Sequence, residues 1–191
     1  MKPDFNLSAN DFSLVVDPEL FYAKQRIVGK VYDLFGWLSA QYGELGAGLP
    51  PETAVSPKIY RGENYRYLPY VMLDQPRLFQ QEQVFAIRSL FWWGQHFSIH
   101  LLLGGRWKQR YQEKILAHVQ EDGWRQWYIA FTDDPWEHHF EPTNYMPVNG
   151  FAGETHTEYL KLGAVLPLQQ WADAAAFFTD AYKSLMLLFR E

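Results

Sequence analysis

Apolar residues recur at helical spacing early in the chain, at Leu20, Ile27, Val31, Leu34, Phe35, Leu38 and Tyr42. Ahead of them, Asp17-Pro18-Glu19 supplies a capping aspartate, a proline at the first helical position and an acid in the first turn. Together these predict a helix from about residue 17 to Tyr42. Residues 1–16 show no such period and read as an irregular lead-in. Gly29 and Gly36 interrupt the helix near one face. Each costs about 1 kcal/mol relative to alanine, and close approach of another element would explain them. The loop GELGAGLPPETAVSP follows a helix rather than a strand, so its glycines make no nucleotide-binding fingerprint.

Further on, the period shortens to that of strands. Tyr65 to Asp74 reads as a strand, with Pro69 marking an edge or bulge. Glu82–Trp93 and His96–Leu103 read as a hairpin around Gly94-Gln95, a two-residue turn of type II′. The helical period returns over 106–121, with Trp107, Tyr111, Ile115, Leu116 and Val119 on its apolar face. Arg125–Phe131 and His156–Leu166 are further strands, separated by a polar-aromatic connection over 133–154. A last helix is predicted from Leu168 to Phe189, where positions 171, 178, 185 and 175, 182, 189 form an apolar stripe. The order predicts an α+β fold: a mainly antiparallel sheet of about five strands, with long N- and C-terminal helices and one middle helix packed against it. With 191 residues and no repeat or low-complexity tract, the expectation is one globular domain over 1–191.

Composition narrows the function. There is no cysteine, which excludes disulfides, thiolate catalysis and cysteine-bound metals. No apolar leader or membrane span is evident, so a cytoplasmic, non-membrane protein is expected. The net charge of −5 and the lack of a binding motif argue against nucleic acid. The charge is uneven: a basic island runs from Lys58 to Arg110, and the last third is acidic. The island could meet an anionic ligand or pair with the protein's own acids. The 34 aromatic residues exceed what a core must use, and with the C-terminal stripe they allow a homodimer.

The predicted hairpin holds the main candidate site. A two-residue turn pairs Trp93 with His96, Phe91 with Ser98 and Ser89 with His100 on one sheet face. The opposite face, with Trp92, Phe97, Ile99 and Leu101, is apolar apart from Arg88, which would need a partner. Rings interleaved with hydroxyls and imidazoles suit a small-molecule wall. Ser89, Phe91, Trp93, His96, Ser98 and His100 are therefore the expected ligand contacts, provided that the register holds. Arg61 and Arg66, interleaved with Tyr60, Tyr65, Tyr67 and Tyr70, are expected to hold an anionic group of a partly planar ligand. No cofactor is indicated. His96 and His100 lie about 13 Å apart on a strand, too far to share a metal. An alternative is a metal-dependent enzyme using Glu137, His138, His139, Glu141, Glu154, His156 and Glu158. The serines lack a nucleophile elbow, so acyl transfer is not expected.

Overall fold

A computed structural model describes residues 3–80, 83–151 and 158–190. Four α-helices occur among them: α1 (Ala9–Val15), α2 (Glu19–Leu45), α3 (Arg106–His118) and α4 (Ala174–Leu187). The strands are β1 (Lys58–Tyr65), β2 (Leu68–Gln80), β3 (Gln83–Trp92), β4 (His96–Gly104), β5 (Trp127–Ala130), β6 (Tyr145–Pro147) and β7 (Tyr159–Pro167). They form one sheet in the order β1-β2-β3-β4-β7-β5-β6, antiparallel throughout. The fold is α+β as expected, with seven strands instead of five. The additions are β1, formed by KIYRGENY, and the three-residue β6 inside the long connection. No helix among the described residues is long and apolar enough to cross a membrane.

The helices lie on one face of the sheet. Val31, Phe35, Leu38 and Tyr42 of α2 and Phe178, Tyr182 and Leu185 of α4 bury their side chains against Leu73, Ile87, Phe91, Phe97, Ile99 and Leu101. Phe178 meets Phe35 and Phe97 edge-on, and Tyr42 stacks on Tyr182 with ring centres 3.8 Å apart. Trp107, Tyr111 and Ile115 of α3 extend the same core. The stripes read from the sequence are thus mostly buried, with Leu20 and Trp171 at their ends exposed. Gly29 and Gly36, by contrast, are exposed, and nothing lies within 4 Å of where a Cβ would sit. The lead-in also contains more order than its pattern suggests. Ser8 caps α1 by accepting from Asp11 N, although α1 buries no side chain.

The central hairpin corrects the expected register. Trp92, not Trp93, pairs with His96, which makes Trp93-Gly94-Gln95 a three-residue connection with Gly94 at φ +72°. Two contacts account for the shift: Trp93 N donates to Pro69 O of β2 at 2.9 Å, and Gln95 N closes the turn on Trp92 O. Every residue of β3 consequently changes face relative to β4. Phe85, Ile87, Ser89 and Phe91 join Phe97, Ile99 and Leu101 under the helices, while Arg88, Leu90 and Trp92 lie beside His100, Ser98 and His96.

The β1–β2 turn carries Arg66 at φ +50° and Tyr67 at φ +67°, a left-handed pair that asparagine and glycine adopt more readily. Tyr67 is 93% exposed, so Tyr67→Gly removes strain without removing packing. Urea unfolding is expected to show Tyr67→Gly raising stability by up to about 1 kcal/mol. Phe97→Ala, in the centre of the core, should lower it by roughly 3–5 kcal/mol.

Candidate functional site

The sheet's second face is covered by the connection from Phe131 to Asn144 instead of by helices. Asn144 shapes this cover: its side chain donates to His139 O at 2.8 Å and accepts from Glu141 N at 2.9 Å. Tyr65 ties the cover to the β1–β2 turn. Its hydroxyl accepts from His138 N at 2.6 Å and His139 N at 3.2 Å, and donates to His139 Nδ1 at 2.8 Å. Beside it, Arg66 pairs with Glu141 at 2.5 Å.

Beneath the cover lies a buried polar chain. Arg88 Nε donates to Asp74 Oδ1 at 2.8 Å, and Nη2 donates to Oδ2 at 3.3 Å and to the Tyr60 hydroxyl at 2.5 Å. Asp74 and Arg88 are cross-strand partners on β2 and β3, so the sheet itself sets the pairing. The guanidinium also lies against the rings of Phe79 and Trp136, 5.3 and 5.0 Å from their centres. Arg88 Nη1 reaches His138 Nε2 at 3.2 Å, and His138 Nδ1 faces Lys161 Nζ at 3.3 Å. Lys161 Nζ donates to Pro135 O at 2.7 Å and to Glu137 O.

This chain assigns protons. A guanidinium only donates, so His138 Nε2 is the acceptor and the imidazole proton resides on Nδ1. A neutral Lys161 amine then satisfies every contact: two N–H groups go to the carbonyls and the lone pair accepts Nδ1–H. Lys161 is buried, and desolvation, with Arg88 adding repulsion, brings its pKa down from 10.5 to about 7. Burial likewise holds His138 well below its ordinary value, with the Arg88 charge acting in the same direction.

Each expected contact now has a place. Ser89 and Phe91 face the helices, where Ser89 Oγ shares a hydrogen bond with the Tyr42 hydroxyl at 3.0 Å and Phe91 packs on Trp171. Trp93 lies in the turn and packs towards the same core. His96, Ser98 and His100 do share the second face, yet His100 and Ser98 are fully buried under the cover. His100 Nε2 is 2.9 Å from Ser98 Oγ, Nδ1 is 3.2 Å from the Tyr145 hydroxyl, and Phe140 stacks on the ring. Desolvation keeps His100 neutral, and His96 falls to about 4 for the same reason. The anticipated ligand wall is therefore packed shut at His100. Arg61 reaches Gln25 on the helix side, whereas Arg66 borders a cavity on the second face and, with His96, a smaller one of about 290 Å³.

The larger cavity lies beside the closed wall, between β1–β3 and the cover. It measures about 540 Å³ and is bounded by Tyr60, Tyr65, Tyr70, Met72, Leu90 and Trp136, with Arg66, Arg88, Asp134, Glu137, His138 and His139 supplying polar groups. Its size is that of a small-molecule site. The tyrosines and His138–His139 stand out in the sequence, though for other roles. Asp74, Trp136 and Lys161 do not stand out as site residues, although Asp74 follows an apolar run in β2 and Lys161 is the one charge in β7. Of the expected metal set, Glu154 and His156 lie outside the described residues, and among the described residues no three His, Asp or Glu side chains gather to hold an ion. Compared with known protein families, curated proteins and solved structures, the chain matches none.

Removing one member of the buried ion pair should be severe. Asp74→Ala strands the Arg88 charge and is expected to cost roughly 3–5 kcal/mol in urea unfolding, most of which Asp74→Leu with Arg88→Met recovers. Lys161 sets the pH dependence. The unfolded lysine keeps its proton to about pH 10.5 and the folded one releases it above about 7, so between these values the unfolded chain binds more protons. Stability accordingly climbs with pH across this window, and Lys161→Met flattens the slope measured from pH 7 to 9.5.

Proposed function

We propose that the protein binds a small, planar, neutral-to-cationic molecule in the cavity between β1–β3 and the 131–147 connection. The observation that carries this reading is a convergence of Tyr60, Tyr65, Tyr70 and Trp136 on one space of about 540 Å³. The charges on the walls favour the ligand's sign. Arg88 and Arg66 are committed to Asp74 and Glu141, whereas the carboxylates of Asp134 and Glu137 form no ion pair among the described residues and hold only one hydrogen bond each, from Trp136 N and Thr132 Oγ1, with Lys161 acting on them at longer range. An anionic ligand, the expectation from Arg61 and Arg66 alone, would have to break an existing ion pair. A planar amine or amide stacks on the rings and meets oxygen acceptors instead. The wall is also preorganised. Trp136 lies on the Arg88 guanidinium, and the Tyr60 and Tyr65 hydroxyls are fixed by Arg88 and by the cover.

Tryptophan fluorescence and thermal shift with matched planar amines, amides and carboxylates test the proposal. Amines and amides should bind and carboxylates should not. Trp136→Ala, which removes a half-exposed ring, should weaken binding at least about tenfold. Failure of every amine and amide at millimolar concentration, or equal binding to Trp136→Ala, would overturn it.

A further inference from the structure

We infer that α1 is a docking element for a second copy of this chain, and that its receptor is the groove at the far end of α2. Phe12, Leu14 and Val15 of α1 are 59%, 48% and 66% exposed, and Leu20, Phe21 and Tyr22 at the start of α2 are exposed as well. Single exposed apolar residues are ordinary; a continuous run of them marks a contact surface. The run is also acidic. Residues 3–22 carry Asp4, Asp11, Asp17 and Glu19 and no lysine or arginine, which disfavours an anionic membrane as the partner.

A groove of about 590 Å³ has the complementary character. Leu49, Tyr111, Met186 and Phe189 line it with apolar surface. Its cationic residues are Arg110, Lys114 and Arg190, and its one acid, Glu52, sits 3.8 Å from Arg106. An acidic helix with a phenylalanine matches this site in both shape and sign.

Reach decides whose helix enters. The groove adjoins Leu45, at the C-terminal end of the 27-residue α2, about 40 Å from Glu19. Only Val16, Asp17 and Pro18 separate α1 from α2, so Phe12 stays within about 20 Å of Glu19 and cannot reach its own groove. A second copy has no such limit. Two α2 helices placed antiparallel about a two-fold axis between Tyr32 and Asp33 set Leu20 against the partner's Leu45, delivering each α1 to the opposite groove.

Sedimentation velocity from about 1 to 100 µM tests this on the full chain. The wild type should form a dimer. Arg110→Glu with Lys114→Glu, and separately Phe12→Ser, should each weaken it at least about tenfold while the circular dichroism stays unchanged. Adding Asp4→Lys and Asp11→Lys to the reversed groove should restore the dimer. A wild type that remains monomeric, or a dimer indifferent to these changes, would overturn the assignment.

Discussion

Burying a guanidinium sets the terms for one whole side of this sheet. Arg88 stays charged at any physiological pH and cannot enter a protein interior without an acceptor for its fork. β2 supplies Asp74 directly across the ladder. The donors that remain point out of the sheet plane and must be met from above, which Tyr60 and His138 do. His138 is thereby fixed in one tautomer, and the neutrality of Lys161 follows. The connection that brings His138 therefore packs as a defined layer, although it is almost devoid of regular secondary structure.

The two faces of the sheet are solved by different physics. Under the helices, apolar side chains interdigitate and contacts are interchangeable to within packing. Under the connection, the buried charges are tolerated because their donors find acceptors, so the geometry around Arg88 and Lys161 is specified atom by atom. Ion pairs of this kind add little net stability, since desolvation offsets most of their attraction. Their consequence here is positional: they hold Trp136, Tyr60 and Tyr65 as walls of a cavity, with the proposed ligand's contacts set before it arrives.

Much of the architecture is legible in the sequence because it rests on period. The stripes of α2, α3 and α4 come from repeated apolar positions, and these fall in the core apart from Leu20 and Trp171; β4 keeps its expected core face, while β3 presents the other one. The register does not follow, because it goes with two hydrogen bonds, from Trp93 N to Pro69 O on β2 and from Gln95 N to Trp92 O, of which the first depends on a neighbouring strand. That one-residue shift moves Ser89 and Phe91 into the core and brings Arg88 to His100. β1 escapes notice because its exposed, tyrosine-rich pattern is that of an edge strand and a loop alike. Arg88 does signal a need for a partner, while the identity of that partner depends on pairing that local pattern does not encode.

A charge set in an apolar run of a strand proves a more informative signal than the aromatic and histidine-rich hairpin. Asp74, Arg88 and Lys161 each interrupt a buried strand, on β2, β3 and β7. None can be there unless the same face carries its complement, so the apolar runs around these three charges already imply a shared polar layer. His100 of the hairpin carries no such implication, because its neutral imidazole is satisfied by the neighbouring Ser98 hydroxyl, and His96, uncharged as well, leaves Nε2 buried without a hydrogen bond. The strength of the inference scales with the penalty for leaving the group unpaired. By that measure the polar layer is anchored by the ion pair and the lysine, and the histidines take whatever protonation state those charges leave them.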